Sequence, residues 1–280
     1  MNPEESSFSK LAAEAKPNTV AVIGVPLDEN SSFMRGPAKA PPLIRDVLHS
    51  KSGNMCAENG LDLGTNPGWK DLGDLKLSKG EEAFTQIEKS VLALLSRDVR
   101  VVTLGGDHSI TYPIVRGYAR KYPDLSLLLL DAHTDLYDEL DGNRLSHASP
   151  FARIMEEDLV SRLVQLGIRT LTSHQRDQVK RFGVELVEMR DWRPDALVDL
   201  QGPIYLSIDM DCLDPAFAPG VSHHEPGGFS TRDVLGIIQS LKGPVVGADI
   251  VEFNPDRDPV GITATAAAKL LKEVLACMID

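Results

Sequence analysis

Apolar residues recur along this chain in short unbroken runs, separated by longer stretches where they return every three or four positions. The run 19–26, Thr-Val-Ala-Val-Ile-Gly-Val-Pro, is rich in β-branched residues and closes on proline, which predicts a buried strand. Further runs predict strands over 100–104, 126–130, 163–168, 184–187, 204–208 and 245–251. Leu127 to Leu130 is apolar without a break, the pattern of a strand covered on both faces in a parallel sheet. Helical patterns lie between: 82–96, with Ile87, Val91, Leu94 and Leu95 at helical spacing, then 231–241 and 263–278. Strands alternating with helices predict an α/β fold, a single three-layer αβα domain over residues 1–280 with a mostly parallel sheet. Residues 1–17 are polar and read as a loosely packed segment. Gly, Pro, Asn and Asp gather over 50–79, 136–149 and 214–230, which predicts irregular chain. The last two stretches follow strands, where open α/β sheets place their sites.

Composition narrows the class of function. The chain is 42% hydrophobic and 25% charged, ordinary for a globular protein. No apolar run nears the ~20 residues of a membrane span, and Met1-Asn2-Pro3-Glu4-Glu5 lacks the apolar core of a signal peptide. A cytoplasmic protein with no membrane partner is therefore expected. Cys56, Cys212 and Cys277 are too scattered for a disulfide framework or a thiolate zinc site. The net charge of −12 argues against a nucleic-acid partner, which needs a basic face. It favours encounter with a cationic small molecule.

Candidate chemistry sits just beyond the strand runs. Gly105-Gly106-Asp107-His108-Ser109 follows the run 100–104, Asp131-Ala132-His133-Thr134-Asp135 follows 126–130, Asp209-Met210-Asp211 follows 204–208, and Glu252 follows 245–251. An extended chain leaving a strand places i, i+2 and i+4 on one side. Asp131, His133 and Asp135 are thereby expected to converge, with Asp209 and Asp211 beside them. Together with His108 they make six ligand-type side chains, rich in oxygen and free of thiolate, which favours manganese over zinc. Six exceed what one catalytic ion takes. Bridging by Asp131 and Asp209 would hold two ions ~3.5–4 Å apart, a pair that acidifies a water near neutral pH. Gly105-Gly106 allows close backbone approach and is no phosphate loop.

The strings GGDHS, DAHTD, SIDMDCLDP and DIVEFNP, in this order, resemble the ureohydrolase family of arginases and agmatinases. The resemblance runs from about Thr19 to the C-terminus. The segments Gly142–Met155, Phe217–His223 and Val251–Pro255 are especially similar to plant-type arginases. It implies the arginase-like αβα fold and two Mn2+ per subunit, with Ni2+ or another divalent ion as alternatives. Carried over by motif, one ion takes His108, Asp131, Asp135 and Asp209, and the other Asp131, His133, Asp209 and Asp211. Glu252 corresponds to the glutamate that holds the substrate guanidinium, and His147 to a proton-shuttling histidine. The implied reaction is hydrolysis of a guanidino group to urea and a primary amine, with Asp135 or His147 protonating the departing amine. A homotrimer or homohexamer is implied as well.

Substrate choice falls to the loop 136–149. Asn143 and Ser149 are candidate donors to the α-carboxylate of L-arginine, and Arg144 a candidate partner for it. Asp138, Glu139 and Asp141 would equally suit the second positive charge of agmatine. The loop departs from the animal arginase pattern, since Arg144 and Leu145 separate Asn143 from Ser146-His147. Arginase is the favoured reading through the plant-type likeness, with agmatinase or another guanidino-acid or guanidine hydrolase next. A zinc deacetylase of related fold would use one metal, and a non-catalytic regulatory protein would release no urea. Among the other histidines, His223 stands nearest a substrate role; His49, His174 and His224 read as surface or supporting residues.

Overall fold

The computed structural model describes residues 12–194 and 199–279. Its frame is a sheet of eight strands: β1 Val20–Val25, β2 Trp69–Asp74, β3 Arg100–Gly105, β4 Ser126–Leu130, β5 Arg162–Ile168, β6 Glu185–Glu188, β7 Ile204–Asp209 and β8 Val245–Val251. They lie in the order β2-β1-β3-β8-β7-β4-β5-β6, and every pairing is parallel. The seven strands read from apolar runs are all present. The eighth, β2, lies inside the stretch 50–79 that was expected to be irregular. Its sequence, Trp-Lys-Asp-Leu-Gly-Asp, buries only Leu72, because an edge strand paired with β1 alone needs no apolar run.

Among the described residues the sheet is covered by helices α1 Ala40–Leu48, α2 Glu81–Leu95, α3 Thr111–Ala119, α4 Pro150–Glu156, α5 Ser173–Phe182, α6 Thr231–Ser240 and α7 Ile262–Ile279. Alternate strand residues feed two separate cores. Val22, Leu104, Leu128, Leu206 and Ile250 pack with Ile44 of α1, Val234 of α6 and Leu271 of α7. Ala21, Ile23, Val101, Leu127 and Leu129 pack with Ile87 of α2, Val115 of α3 and Phe151 of α4. Both faces are thus buried, which is why the strands read as continuous apolar runs. Of the stretch expected to be loose, residues 1–11 lie outside the described residues, whereas Ala12 and Ala15 are buried in the second core. Among the described residues no helix is long and apolar enough to cross a membrane.

The register positions the chemistry. Leu104, Ile250, Ile208 and Leu130 align across β3, β8, β7 and β4. These four adjacent central strands end level with one another, and each carries one of the acidic or histidine motifs at its C-terminal end.

Candidate active site

Two local devices turn the chain at the strand ends. A Cβ on Gly106 would lie 1.7 Å from the Leu27 carbonyl oxygen, so only glycine admits the loop after β1 at that point. Beyond it Asp107 accepts from Ser109 N (3.1 Å) and Asn30 N (3.0 Å), fixing the 3-10 turn at His108–Ile110 to that loop. After β4 and β7 the turns are made by the candidate ligands themselves. Asp131 accepts from His133 N (2.6 Å) and Asp209 from Asp211 N (2.7 Å). Such carboxylate turns to the backbone two residues on bend the chain at once, so the extended run expected over 131–135 is replaced by tight turns. Asp135 has φ 48° and Glu252 φ 62°, left-handed values that non-glycine residues seldom adopt.

All six expected ligands meet. His108 Nδ1 lies 3.3 Å from Asp131 Oδ2, 3.1 Å from Asp135 Oδ2 and 3.1 Å from Asp209 Oδ2. His133 Nδ1 lies 3.5 Å from Asp131 Oδ1 and 3.1 Å from Asp211 Oδ2. Two triads can each hold an ion, His108/Asp131/Asp209 and Asp131/His133/Asp211, with Asp131 common to both. His108 Nδ1 and Asp131 Oδ2 are buried and make no hydrogen bond despite their proximity. On its far side His108 Nε2 meets Ser207 Oγ at 2.9 Å, and Ser207 donates to Asp249 Oδ1 at 2.6 Å. That chain sets the tautomer with hydrogen on Nε2, leaving the Nδ1 lone pair aimed at the carboxylates. Two unpaired buried lone pairs converging in a set of carboxylates and imidazoles fit a divalent cation.

Without such a cation, like charges crowd the group and shift its carboxyls and imidazoles. Burial, then Asp135 and Asp211, push Asp131 up to about 6. Burial and the neighbouring Asp211 and Asp131 raise Asp209 well above the carboxylate range. Burial alone would lower His108, but the carboxylates of Asp131, Asp135 and Asp209 raise it well above its ordinary value. Burial would raise Asp211, and His133 beside it brings it down instead.

Beside the cluster stand His147 and Glu252. His147 Nδ1 lies 2.8 Å from Glu252 Oε1, which also accepts from His108 N at 2.8 Å. Burial opposes a charge on His147, yet Glu252 raises it to about 9. Glu252 is lowered, the attraction of His147 outweighing burial. The other ring nitrogen, His147 Nε2, lies 2.8 Å from Ser32 Oγ. Ser32 belongs to the loop after β1, whose Asn30 also receives His147 N (3.2 Å) and Asn143 Nδ2 (3.1 Å). His223 closes the ring of imidazoles, 5.4 Å from His147 and 5.9 Å from His133 between centroids. Burial and the charge of His147 hold His223 below its ordinary value.

The residues named for substrate choice are placed differently. Asn143 is half-buried and tied to Asn30 and Leu145 N. Ser149 is fully buried, its hydroxyl without a partner. Arg144 pairs with Glu156 at 2.9 Å, and Asp138 accepts from Gln178 and Arg181. Several supporting residues had no role assigned from the sequence. Asp249, the first residue of the string DIVEFNP, was given no role there; it is buried in β8, held by Ser207, Tyr205 and Thr111. Arg169 donates to the carbonyls of Asp211 (2.6 Å) and Glu225 (2.7 Å), clamping the turn after β7. Cys212 is buried with its thiol pushed up by burial, which keeps it unreactive.

Comparison with known proteins gives concordant matches. A family model described as "Arginase family" matches residues 18–277. "Arginase 1, mitochondrial" of Arabidopsis thaliana is 47% identical over 284 residues, covering 95% of this chain and 83% of that one. "Agmatinase" of Bacillus cereus is 32% identical over 277 residues, covering 96% and 94%. The solved arginase from Medicago truncatula superposes with a TM-score of 0.89 at 42% identity, covering 98% of this chain and 92% of that one.

Proposed function

This chain belongs to the arginase family, it is a ureohydrolase, and we propose that it hydrolyses L-arginine to L-ornithine and urea with two Mn2+ ions per subunit. One observation carries the chemistry: five ligand-type side chains in two triads sharing Asp131, with Asp135 against His108 as the sixth, lie beside a buried carboxylate, Glu252. Asp131, Asp135, Asp209 and His108 would hold one ion, and Asp131, Asp209, Asp211 and His133 the other. When bound, such a pair supplies an acidified water and positive charge at the reacting carbon.

The remaining work falls to side chains of this protein. Glu252 orients the guanidinium by accepting its N–H groups in a charge-assisted bond. The strained backbone at Glu252 and the hydrogen bond from His108 N aim that carboxylate. His147, protonated beside Glu252 and touching Ser32 at the surface, holds a proton for the departing amine. Asp135, beside His108, is a second route for that proton. Cleavage of the bond between the guanidinium carbon and the substituted nitrogen, with one water consumed, leaves urea and the amine.

Arginine is favoured over agmatine by two observations. Identity is 47% to the plant arginase and 32% to the agmatinase. Asp138, which would suit agmatine's second charge, is already engaged by Gln178 and Arg181. Asn143 and Ser149 are proposed to face the amino-acid end of the substrate. The chain is proposed to assemble as a homotrimer or homohexamer, for which light scattering expects three or six chain masses and a monomer counts against it. The test of function is urea release from arginine, agmatine, guanidinobutyrate and guanidine under Mn2+ and Ni2+ loading. Arginine should be the best substrate; preferred turnover of agmatine would reassign it, and no urea from any would refute a catalytic role.

A further inference from the structure

The acceptor inventory around the guanidinium is incomplete with Glu252 alone. An alkylguanidinium presents five N–H donors and no acceptor, and a carboxylate oxygen has about two lone-pair sites. Both sites on Glu252 Oε1 are taken by the protein, one by His108 N and one by His147 Nδ1, each at 2.8 Å. Only Oε2 is left for the substrate, too little for a two-point fork. His147 offers no help, since its two nitrogens are engaged by Glu252 and Ser32.

His223 supplies what is lacking. Its Nε2 is buried and makes no hydrogen bond. A buried polar atom left unpaired is costly unless a ligand meets it. The ring stands among the catalytic imidazoles, 5.4 Å from His147 and 5.9 Å from His133, with Phe33 across it at 5.7 Å. Its place relative to Glu252 is fixed by backbone pairing. Val221 bridges Phe253, Asn254 N donates to Gly220 O (2.8 Å), and Asn254 Nδ2 donates to Ser222 Oγ (2.9 Å). The segment that presents His223 is therefore laced to the segment that presents Glu252.

We propose that His223 is a second acceptor for the substrate guanidinium, its Nε2 taking an N–H that the single free oxygen of Glu252 cannot. The proposal rests on the reading of the site as a guanidine-hydrolysing centre. With hydrogen on Nδ1 the ring presents Nε2 as a lone pair, and two acceptors on linked segments then fix the plane of the guanidinium.

Two variants and one spectrum test it. On the metal-loaded protein, His223→Phe keeps a flat ring against Phe33 and His147 but removes the acceptor, whereas His223→Gln restores an amide oxygen at the reach of Nε2. His223→Phe should keep its metal content and melting temperature and lose roughly 10- to 100-fold in kcat/KM for arginine, mostly through KM, the size of one hydrogen bond to a charged group. His223→Gln should recover part of that loss. In zinc-loaded, 15N-histidine-labelled wild type, the His223 Nε2 resonance should move on addition of guanidinium chloride. Unchanged kcat/KM in His223→Phe overturns the proposal. So does a loss accompanied by loss of metal and not eased by His223→Gln, which would make the ring structural. If wild type releases no urea, the reading of the site falls by itself; the resonance then still decides whether His223 meets a guanidinium, and a fixed resonance overturns that contact.

Discussion

Glu252 leaves β8 at φ 62° and turns its carboxylate onto the His108 amide and the His147 ring. A buried pair of this kind has a definite pH signature. His147 is raised to about 9, so what the pair adds to stability is fully present below the ordinary histidine range and lost as pH rises through about 9. Glu252 is lowered, so on the acid side the contribution is lost only once pH falls below the ordinary glutamate range. In metal-free protein, NMR titration should find the His147 imidazolium persisting above pH 8, and in Glu252→Gln its titration should fall back toward about 6.5. A His147 that titrates near 6.5 in the wild type would remove the pairing. In the metal-loaded enzyme Glu252→Gln should keep both ions and lose at least about 100-fold in kcat, as expected when a charge-assisted contact to the reacting group is removed. Unchanged kcat/KM would take Glu252 out of the substrate contact.

The ends of β3, β8, β7 and β4 form a continuous row, and that adjacency explains how much of the site can be read from the chain. His108, Asp131, His133, Asp135, Asp209, Asp211 and Glu252 each follow an apolar run within a few residues, so strand pattern and local motif suffice to list them. The supporting residues show their roles only in the fold, even where, like Ser207 and Asp249, they open the strings SIDMDCLDP and DIVEFNP. Asn30 and Ser32 reach His147 across more than a hundred positions of chain, through a loop whose position depends on Gly106. Asp249 and Ser207 orient His108 only because β7 and β8 are neighbours. The edge strand β2 was illegible because, paired with β1 alone, it buries only Leu72 and keeps a polar sequence. Gly106→Ala tests this loop contact: its Cβ would clash with backbone rather than with a movable side chain. Destabilisation of about 3 kcal/mol or more is expected in chemical denaturation, with activity lost as the loop shifts; a loss under about 1 kcal/mol would mean the loop yields freely.

Across the whole molecule, a parallel sheet buried on both faces provides a rigid frame, and nearly all of the unusual chemistry is confined to one edge of it. The net charge of −12 is partly explained there, since Asp107, Asp131, Asp135, Asp209, Asp211 and Glu252 are all buried within this one region. Carboxylates so crowded are tolerable when cations neutralise them, which makes the number of bound ions the quantity on which the reading turns. The decisive measurement is metal content per chain after stripping with chelator and reloading with Mn2+, for wild type and for Asp131→Ala. Two ions per chain are expected in wild type and none firmly held in Asp131→Ala, because Asp131 is common to both triads. A wild type that takes up a single ion, or an Asp131→Ala variant that still binds two, would contradict the shared two-metal centre.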